Sequence, residues 1–285
     1  MRTIIVTGAS DGIGAAAADM LAAATEDRLV LVGRSPDKTR AVAQRLGAEY
    51  HLADFSRLED VRRLAHTLTA SCPRIDVLAN NAGGIFDGPI RTEDGFEKTF
   101  QVNHLAPYLL TNLLIEPLLA SGATVVNTAS IAARIFSDVD LNDLNTWGAY
   151  TPNRAYGNAK LANIVFAKQL HARFHHRGLN AVAFHPGVLA TSFATQTSGM
   201  MHRLYQGPLS RLLASPETGG ARLFHFITGQ PGQDWESGHF YGDNLKPADS
   251  HPQTRDRRFA ERHWELSAQM LAVRWPDHGE TPRDH

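Results

Sequence analysis

Two side chains four residues apart, Tyr156 and Lys160, form a pair that could transfer protons. On one helix, positions four apart share a face, so the phenol and the ammonium can reach the same point. A free tyrosine has a pKa of about 10, which is too high for an efficient base near neutral pH. A nearby ammonium favours the phenolate and lowers that pKa. The spacing therefore predicts acid/base chemistry, with Tyr156 exchanging the proton and Lys160 tuning it.

A glycine-rich loop, Thr7-Gly8-Ala9-Ser10-Asp11-Gly12-Ile13-Gly14, stands between a predicted strand and an alanine-rich predicted helix, Ala15 to Ala24. Glycines in such a loop permit a tight turn and let a ligand approach the backbone closely. A pyrophosphate can then sit on free N–H groups at the helix N-terminus. The strand-loop-helix context is the one that a dinucleotide-binding motif requires, although a tight turn without a ligand is the structural alternative.

The residue that follows the second predicted strand bears on the choice of dinucleotide. An NAD-binding chain of this kind places an acid about 20 residues past the last loop glycine. Arg34 stands there instead, and a guanidinium suits a bidentate grip on a 2′-phosphate. We therefore expect NADP(H) to be favoured. NAD(H) stays open, because Asp11 adds a negative charge to the loop and Arg34 could be a solvated loop residue.

Short apolar and β-branched runs alternate with segments of helical periodicity along the first two-thirds of the chain. This alternation predicts parallel strands covered by helices on both faces, in a Rossmann-type, doubly wound α/β fold with a sheet of about seven strands. Six of the predicted strands are Thr3 to Thr7, Leu29 to Gly33, Glu49 to Ala53, Asp76 to Asn80, Ala123 to Ala129 and Ala181 to His185.

The last third of the chain is less regular, with several prolines that break its elements. We expect it to complete a single domain spanning 1–285, with a substrate lid over 191–215, a helix from Thr254 to about Val273 and a loose tail over 276–285. The lid is predicted from the flexible, methionine-containing apolar stretch at 193–213, which suits a lipophilic substrate. An ordinary subdomain or a dimer contact is the alternative for this stretch.

Composition excludes several classes of protein. The chain has 285 residues, 43% of them hydrophobic and 20% charged, with a formal net charge of -1, so nothing favours nucleic acid or an anionic membrane as a partner. Cys72 is the one cysteine, which rules out an intramolecular disulfide and suits a reducing compartment. The longest apolar runs fall short of the ~20 residues that span a bilayer, and the glycine loop begins too early for a signal peptide. We expect a cytoplasmic protein with no membrane span.

Over nearly its whole length the chain resembles the short-chain dehydrogenase/reductase family. The resemblance rests on motifs in family order: Thr7-Gly8-x-x-x-Gly12-x-Gly14, Asp54, Asn80-Asn81-Ala82-Gly83, Asn103, Ser130, Tyr156-x-x-x-Lys160 and Pro186-Gly187-x-x-x-Thr191. The glycine spacing is similar to that of the compact members. The segments at 140–163 and 101–111 resemble the retinol-dehydrogenase-like branch.

The resemblance implies a set of cofactor contacts. Asp54 would hydrogen-bond the adenine ring, Asn81 would fix the strand edge beside the adenine ribose, and the turn at Pro186 would face the carboxamide. The structural alternatives are a helix cap, a strand-ending turn and a simple Pro-Gly turn. The predicted cofactor-binding residues are Gly8, Ser10, Asp11, Gly12, Ile13, Gly14, Arg34, Asp54, Phe55, Asn81, Ala82, Gly83, Tyr156, Lys160, Pro186, Gly187, Val188 and Thr191.

The same resemblance implies a catalytic set of Asn103, Ser130, Tyr156 and Lys160. Ser130 would hydrogen-bond the reacting oxygen, Lys160 would also hold the nicotinamide ribose, and Asn103 would order a water that links Lys160 to solvent. Each of these residues also has an ordinary structural explanation.

We therefore predict an NAD(P)-dependent oxidoreductase that interconverts an apolar alcohol and its carbonyl compound. A reductase of an activated C=C bond and a non-catalytic, cofactor-sensing regulator are the alternatives. The resemblance also allows a homodimer or homotetramer. His171 and His175, four apart, lack the glutamate of the zinc-protease pattern, and we predict no metal.

Overall fold

A computed structural model describes residues 1–187 and 215–276 of the protein. Its centre is a parallel sheet of seven strands in the order β3-β2-β1-β4-β5-β6-β7. The strands are β1 (Thr3–Thr7), β2 (Arg28–Gly33), β3 (Glu49–Leu52), β4 (Val77–Asn80), β5 (Thr124–Thr128), β6 (Asn180–Phe184) and β7 (Phe240–Tyr241). The chain builds the sheet outward in one direction from β1 and in the other from β4, so the order reverses between these two strands. The predicted doubly wound fold is confirmed.

Helices cover both faces of the sheet. They are α1 (Gly12–Ala24), α2 (Pro36–Leu46), α3 (Leu58–Ser71), α4 (Lys98–Phe100), α5 (Ala106–Leu113), α6 (Ile115–Ser121), α7 (Ala132–Ile135), α8 (Pro152–Phe174), α9 (Pro216–Thr228) and α10 (Arg257–Met270). One hydrophobic core lies between the sheet and α3, α5, α8 and α10. A second core lies on the opposite face, under α1 and α9.

The strands are continuously apolar because both of their faces are buried. In β1, Ile4 and Val6 enter the core under α1, whereas Ile5 between them enters the core under α3 and α8. All three side chains are fully buried. This burial on two sides explains why hydrophobicity does not alternate along these strands.

A single π-helical turn, Gln101–Leu105, joins α4 to α5, and the sequence did not predict it. Residue 107 is a proline, which has no N–H group to donate to the carbonyl of Asn103, its partner in a regular α-helix. The wider turn therefore occurs where the regular hydrogen-bond ladder is already broken. Turns of this kind are frequent at functional sites.

The C-terminal region differs from the prediction in its boundaries. A 3₁₀ turn, Pro252–Arg255, comes first, and Asp256 then caps α10 by accepting hydrogen bonds from the N–H groups of Arg258 and Phe259. Apart from Ser215, which caps α9, the predicted lid at 191–215 lies outside the described residues. The same is true of the predicted tail at 276–285 beyond Pro276.

None of the helices within 1–187 and 215–276 combines the length and the apolar character needed to cross a bilayer.

Candidate active site

A cleft of about 700 Å³ follows the carboxyl edge of the sheet. Because all strands are parallel, the residues that come directly after each strand meet at this edge. Six strands contribute in this way, through Gly8 after β1, Arg34 after β2, Asp54 after β3, Asn81 after β4, Ser130 after β5 and His185 after β6. The cleft therefore crosses the point where the strand order reverses, which is where open α/β sheets bind ligands.

Most of the predicted site residues line this one cleft. They are Gly8, Ser10, Asp11, Gly12, Ile13, Arg34, Asp54, Phe55, Asn81, Ala82, Gly83, Ser130, Tyr156, Lys160, Pro186 and Gly187. Gly14 and Asn103 lie behind the lining and support it. Val188 and Thr191 fall outside the described residues.

The glycine loop is shaped by close packing between its two ends. A Cβ atom on Gly14 would collide with the carbonyl oxygen of Gly8 and would lie 2.7 Å from Nδ2 of Asn81. Asn81 in turn donates to the carbonyl of Thr7 at 3.0 Å. Gly14 is thus needed for the fit of the loop against β4, even though it does not line the cleft.

Two cations stand where the loop after β2 enters the cleft. Arg34 is exposed, and no acidic side chain of the described residues pairs with it. Lys38, on the first turns of α2, also lines the cleft and pairs with Asp11 through an Nζ–Oδ2 distance of 2.7 Å. The hydrogen bond from Lys38 is the main reason that the pKa of Asp11 is lowered. The sequence analysis missed Lys38, although its position one helical turn after Arg34 was a usable signal.

Asp11 also has a structural role, because its Oδ1 accepts a hydrogen bond from the N–H of Gly12 at 2.8 Å and caps α1.

Asp54 and Asn81 each combine a structural contact with a place in the cleft. Asp54 accepts hydrogen bonds from the N–H and the hydroxyl of Ser56, at 2.9 and 2.8 Å, and so holds the turn before α3. The N-cap residue of α3 is Arg57, so Asp54 is not the helix cap itself. Asn81 accepts from the hydroxyl of Thr128 at 3.2 Å and links the ends of β1, β4 and β5.

Tyr156 and Lys160 lie on α8, which starts at Pro152 and is capped by the hydroxyl of Thr151. Lys160 is 1% exposed, and its Nζ donates to the carbonyl oxygen of Thr128 at 3.0 Å. That Nζ lies 5.4 Å from the centre of the Tyr156 ring. Burial lowers the pKa of Lys160 to about 7. The structure therefore places the amine beside the phenol, as the spacing predicts.

Ser130 follows β5 on the same side of the cleft. Its Oγ accepts a hydrogen bond from the N–H of Ala132 at 3.2 Å, which holds the side chain at the start of α7. Tyr156, Lys160 and Ser130 thus line one end of the cleft, beyond the Gly-rich loop and Asn81 along the sheet edge.

The side chain of Asn103 is occupied by the backbone. Its Nδ2 donates to the carbonyls of Gly84 and Thr99, each at 2.8 Å, and its Oδ1 accepts from the N–H of Gly84 at 3.1 Å. A Cβ atom on Gly83 would collide with this Oδ1 and would lie 3.2 Å from Nζ of Lys160. Asn103 therefore stands next to Lys160, with only a glycine between them.

Apolar side chains form the wall beside Ser130 and Tyr156. They are Ile85, Phe86, Ile131, Ile135 and Phe136. Two of them are unusually accessible for large apolar residues: Ile135 is 60% exposed and Phe136 is 37% exposed. Exposed apolar side chains gathered at a cleft mark a binding surface.

His171 bonds through Nδ1 to the hydroxyl of Ser237 at 2.9 Å, and its ring stacks on that of His175. Over residues 1–187 and 215–276, no three His, Cys, Asp or Glu side chains are grouped as metal ligands.

Several known proteins resemble this chain in sequence or structure over most of its length. The family model for short chain dehydrogenases matches residues 2–201. Retinol dehydrogenase 13 of Homo sapiens is 33% identical over 294 residues, which cover 99% of this chain and 88% of that protein. A Streptomyces sp. (strain C5) protein, provisionally assigned as a daunorubicin C-13 ketoreductase, is 37% identical over 275 residues, covering 94% of this chain and 91% of that protein.

Among solved structures, an uncharacterised protein from Mycobacterium paratuberculosis superposes with a TM-score of 0.77 at 30% identity, covering 97% of this chain and 95% of that one. The residues matched by the family model include the glycine loop and the Tyr156–Lys160 pair. The chain therefore belongs to the short-chain dehydrogenase/reductase family of oxidoreductases and is retinol-dehydrogenase-like within it.

Proposed function

We propose that the chain interconverts an apolar alcohol and its ketone or aldehyde with NADP(H), using Tyr156 as the acid and base. One observation carries the proposal: Tyr156, Lys160 and Ser130 line the same cleft as the glycine loop and Arg34. The chemistry and the dinucleotide motif are thereby held on one rigid sheet edge.

The residues of the cleft fit a dinucleotide. Its volume of about 700 Å³ lies within the usual range for small-molecule sites. Ile13 offers an N–H group at the start of α1 for a pyrophosphate, and Lys160 offers an ammonium for ribose hydroxyls. When bound, the nicotinamide supplies the hydride in reduction and accepts it in oxidation.

Three side chains handle the proton and the oxygen. In reduction, the Tyr156 hydroxyl gives its proton to the substrate oxygen, while Ser130 donates a hydrogen bond to the same oxygen and stabilises its developing charge. Lys160, held by the Thr128 carbonyl, stabilises the resulting phenolate and returns a proton to it. Oxidation runs these steps in reverse.

Asn103 supports this proton transfer through its backbone. Its side-chain amide is occupied by Gly84 and Thr99, so the group that could hold a water beside Lys160 is its main-chain carbonyl. Pro107 cannot donate to that carbonyl. The proposed role of Asn103, to order a water beside Lys160, therefore falls to its main-chain carbonyl.

NADP(H) is the proposed cofactor because Arg34 lines this end of the cleft and pairs with no acidic side chain of the described residues, while Lys38 beside it pairs with Asp11. A guanidinium without an acidic partner suits the 2′-phosphate. The apolar wall around Ile135 and Phe136 supports an apolar substrate.

The test is a panel of apolar aldehydes, ketones and enones, followed by the loss of NADPH absorbance. We expect turnover of carbonyl compounds, and product analysis of the enones shows whether hydride reaches the C=O or the C=C bond. In Tyr156→Phe, NADPH binding should persist while turnover falls by about 10²-fold or more. Tyr50→Phe, which removes a phenol from β3, is the matched control and should keep full activity. Binding of NADPH without turnover of any compound would favour a cofactor-sensing regulator.

A further inference from the structure

A buried chain of hydrogen bonds joins the Tyr156–Lys160 pair to the C-terminal helix α10. Nδ2 of Asn163 donates to the Thr128 carbonyl oxygen at 3.2 Å, and this is the same oxygen that accepts from Nζ of Lys160. On its other side, Oδ1 of Asn163 lies 3.3 Å from Nδ1 of His104. Nε2 of His104 lies 3.0 Å from the hydroxyl of Ser267 on α10. The side chains of Lys160, Asn163, His104 and Ser267 are buried, with at most 3% exposure.

The chemistry of the groups gives the chain one direction. A carbonyl oxygen can only accept, so the Asn163 amide must present its NH₂ to Thr128 and its oxygen to His104. Nδ1 of His104 then carries the hydrogen, and Nε2 accepts from the Ser267 hydroxyl. Each donor has one acceptor, from α10 to the end of β5.

The hydrogen-bonded side chains of Ser267, His104 and Asn163 carry no charge. Burial, with His263 as a further cause, lowers the pKa of His104 well below its usual value. Burial also lowers the pKa of His263, whose ring lies 5.1 Å from that of His104, to about 4. Both rings are therefore neutral near neutral pH. The Lys160 amine is the group on this network that can change its charge there.

Sharing one oxygen makes the two side chains dependent on each other. The Thr128 carbonyl has two lone pairs, and Asn163 occupies one direction, which leaves the other for Lys160. The hydroxyl of Thr128 is bound to Asn81, so the residue is held from a second side as well. The position of the ammonium relative to the Tyr156 ring therefore depends on the Asn163 bond.

We propose that Asn163 is a positioning residue for the acid/base pair, and that His104 and Ser267 hold it in the required orientation. This inference rests on the proposed function, because it assigns Asn163 a role in the proton transfer between Tyr156 and Lys160. It also makes α10 part of the machinery that orients Lys160.

The test measures the ionisation of Tyr156 directly. Tyrosinate absorbance is titrated in the presence of NADP⁺, and the signal of Tyr156→Phe is subtracted to remove the other tyrosines. In Asn163→Leu, we expect the apparent pKa of Tyr156 to rise by about one unit, with kcat at neutral pH about tenfold lower. In Ser267→Ala, we expect a change in the same direction and of about two- to threefold in kcat.

Two control variants separate positioning from stability. Ser237→Ala removes a partly buried serine-histidine hydrogen bond of similar length, 2.9 Å to His171, that is not part of this hydrogen-bond chain. Asn112→Leu removes a buried amide that binds the carbonyl of Arg274, also outside the chain. Both should lower the unfolding midpoint while the apparent pKa of Tyr156 stays at its original value.

Unchanged Tyr156 titration and kcat in both Asn163→Leu and Ser267→Ala, or equal shifts in the two controls, would overturn the inference. If Asn163→Leu does not fold, Ser267→Ala decides alone. Failure of the proposed function looks different: the unmodified protein would then show no turnover, and its difference titration would show an ordinary tyrosine.

Discussion

Removal of the Arg34 guanidinium should weaken NADPH binding without affecting NADH. A hydrogen bond to a charged group contributes about 1.5–3 kcal/mol. Arg34 is exposed, so the lower part of that range applies. We therefore expect Arg34→Ala to raise the Kd for NADPH by about 10- to 30-fold. The Kd for NADH should change less than about twofold, because NADH has no 2′-phosphate for the guanidinium to bind.

Substitution of the neighbouring Lys38 or Asp11 should change the Kd for NADPH by a smaller factor. Lys38→Ala should raise the Kd for NADPH by only about two- to fivefold, because Lys38 is exposed and already shares its charge with Asp11. Asp11→Asn keeps an oxygen to cap Gly12, yet removes the carboxylate that competes for Lys38. NADPH should bind this variant a few-fold more tightly.

Fluorescence titration with both nucleotides, at low and high salt, measures these constants. The NADPH advantage should shrink as salt rises, since exposed charges are screened. Arg40→Ala is the matched control. Like Arg34, Arg40 is an exposed arginine, but it lies on α2 and does not line the cleft. An equal loss of NADPH and NADH affinity in Arg34→Ala, or no loss of either, would refute the reasoning.

Three further predictions concern the cleft wall and the core. Gly83→Ala should lower kcat/KM by about tenfold or more, because the new Cβ displaces Asn103, while Gly148→Ala, whose Cβ meets nothing closer than 3.5 Å, should not. Ile135→Asp should raise KM for an apolar carbonyl by about fivefold with little change in kcat, as measured by initial rates. Burial lowers the pKa of His263 to about 4, below its unfolded value, so stability is present above about pH 6.5 and is lost as pH falls towards 4. This loss is about 3 kcal/mol, and chemical denaturation of His263→Gln should show a correspondingly shallower dependence on pH.

The fold was predictable because its signals are local. Each of the six strands named from the sequence ends within one residue of its observed position, since apolar runs bounded by turn residues are read directly. The seventh strand, Phe240–Tyr241, has only two residues and offers no such pattern.

Only those site residues that belong to local sequence motifs could be predicted. The residues after each strand were identified because parallel strands bring them to one edge, and the structure places them together. The link from Asn163 through His104 to Ser267 joins positions 59 and 163 residues apart, and no local pattern signals it. The π-helical turn likewise depends on Pro107 meeting a helix that could not be placed in advance.

The cleft draws on six strand ends that are spread from Gly8 to Gly187. No short fragment of the chain holds the dinucleotide motif and the acid/base pair together, so nucleotide binding and chemistry cannot be exchanged as separate small modules by recombination. Catalytic activity and the folded sheet should therefore be lost together, in one cooperative unfolding transition.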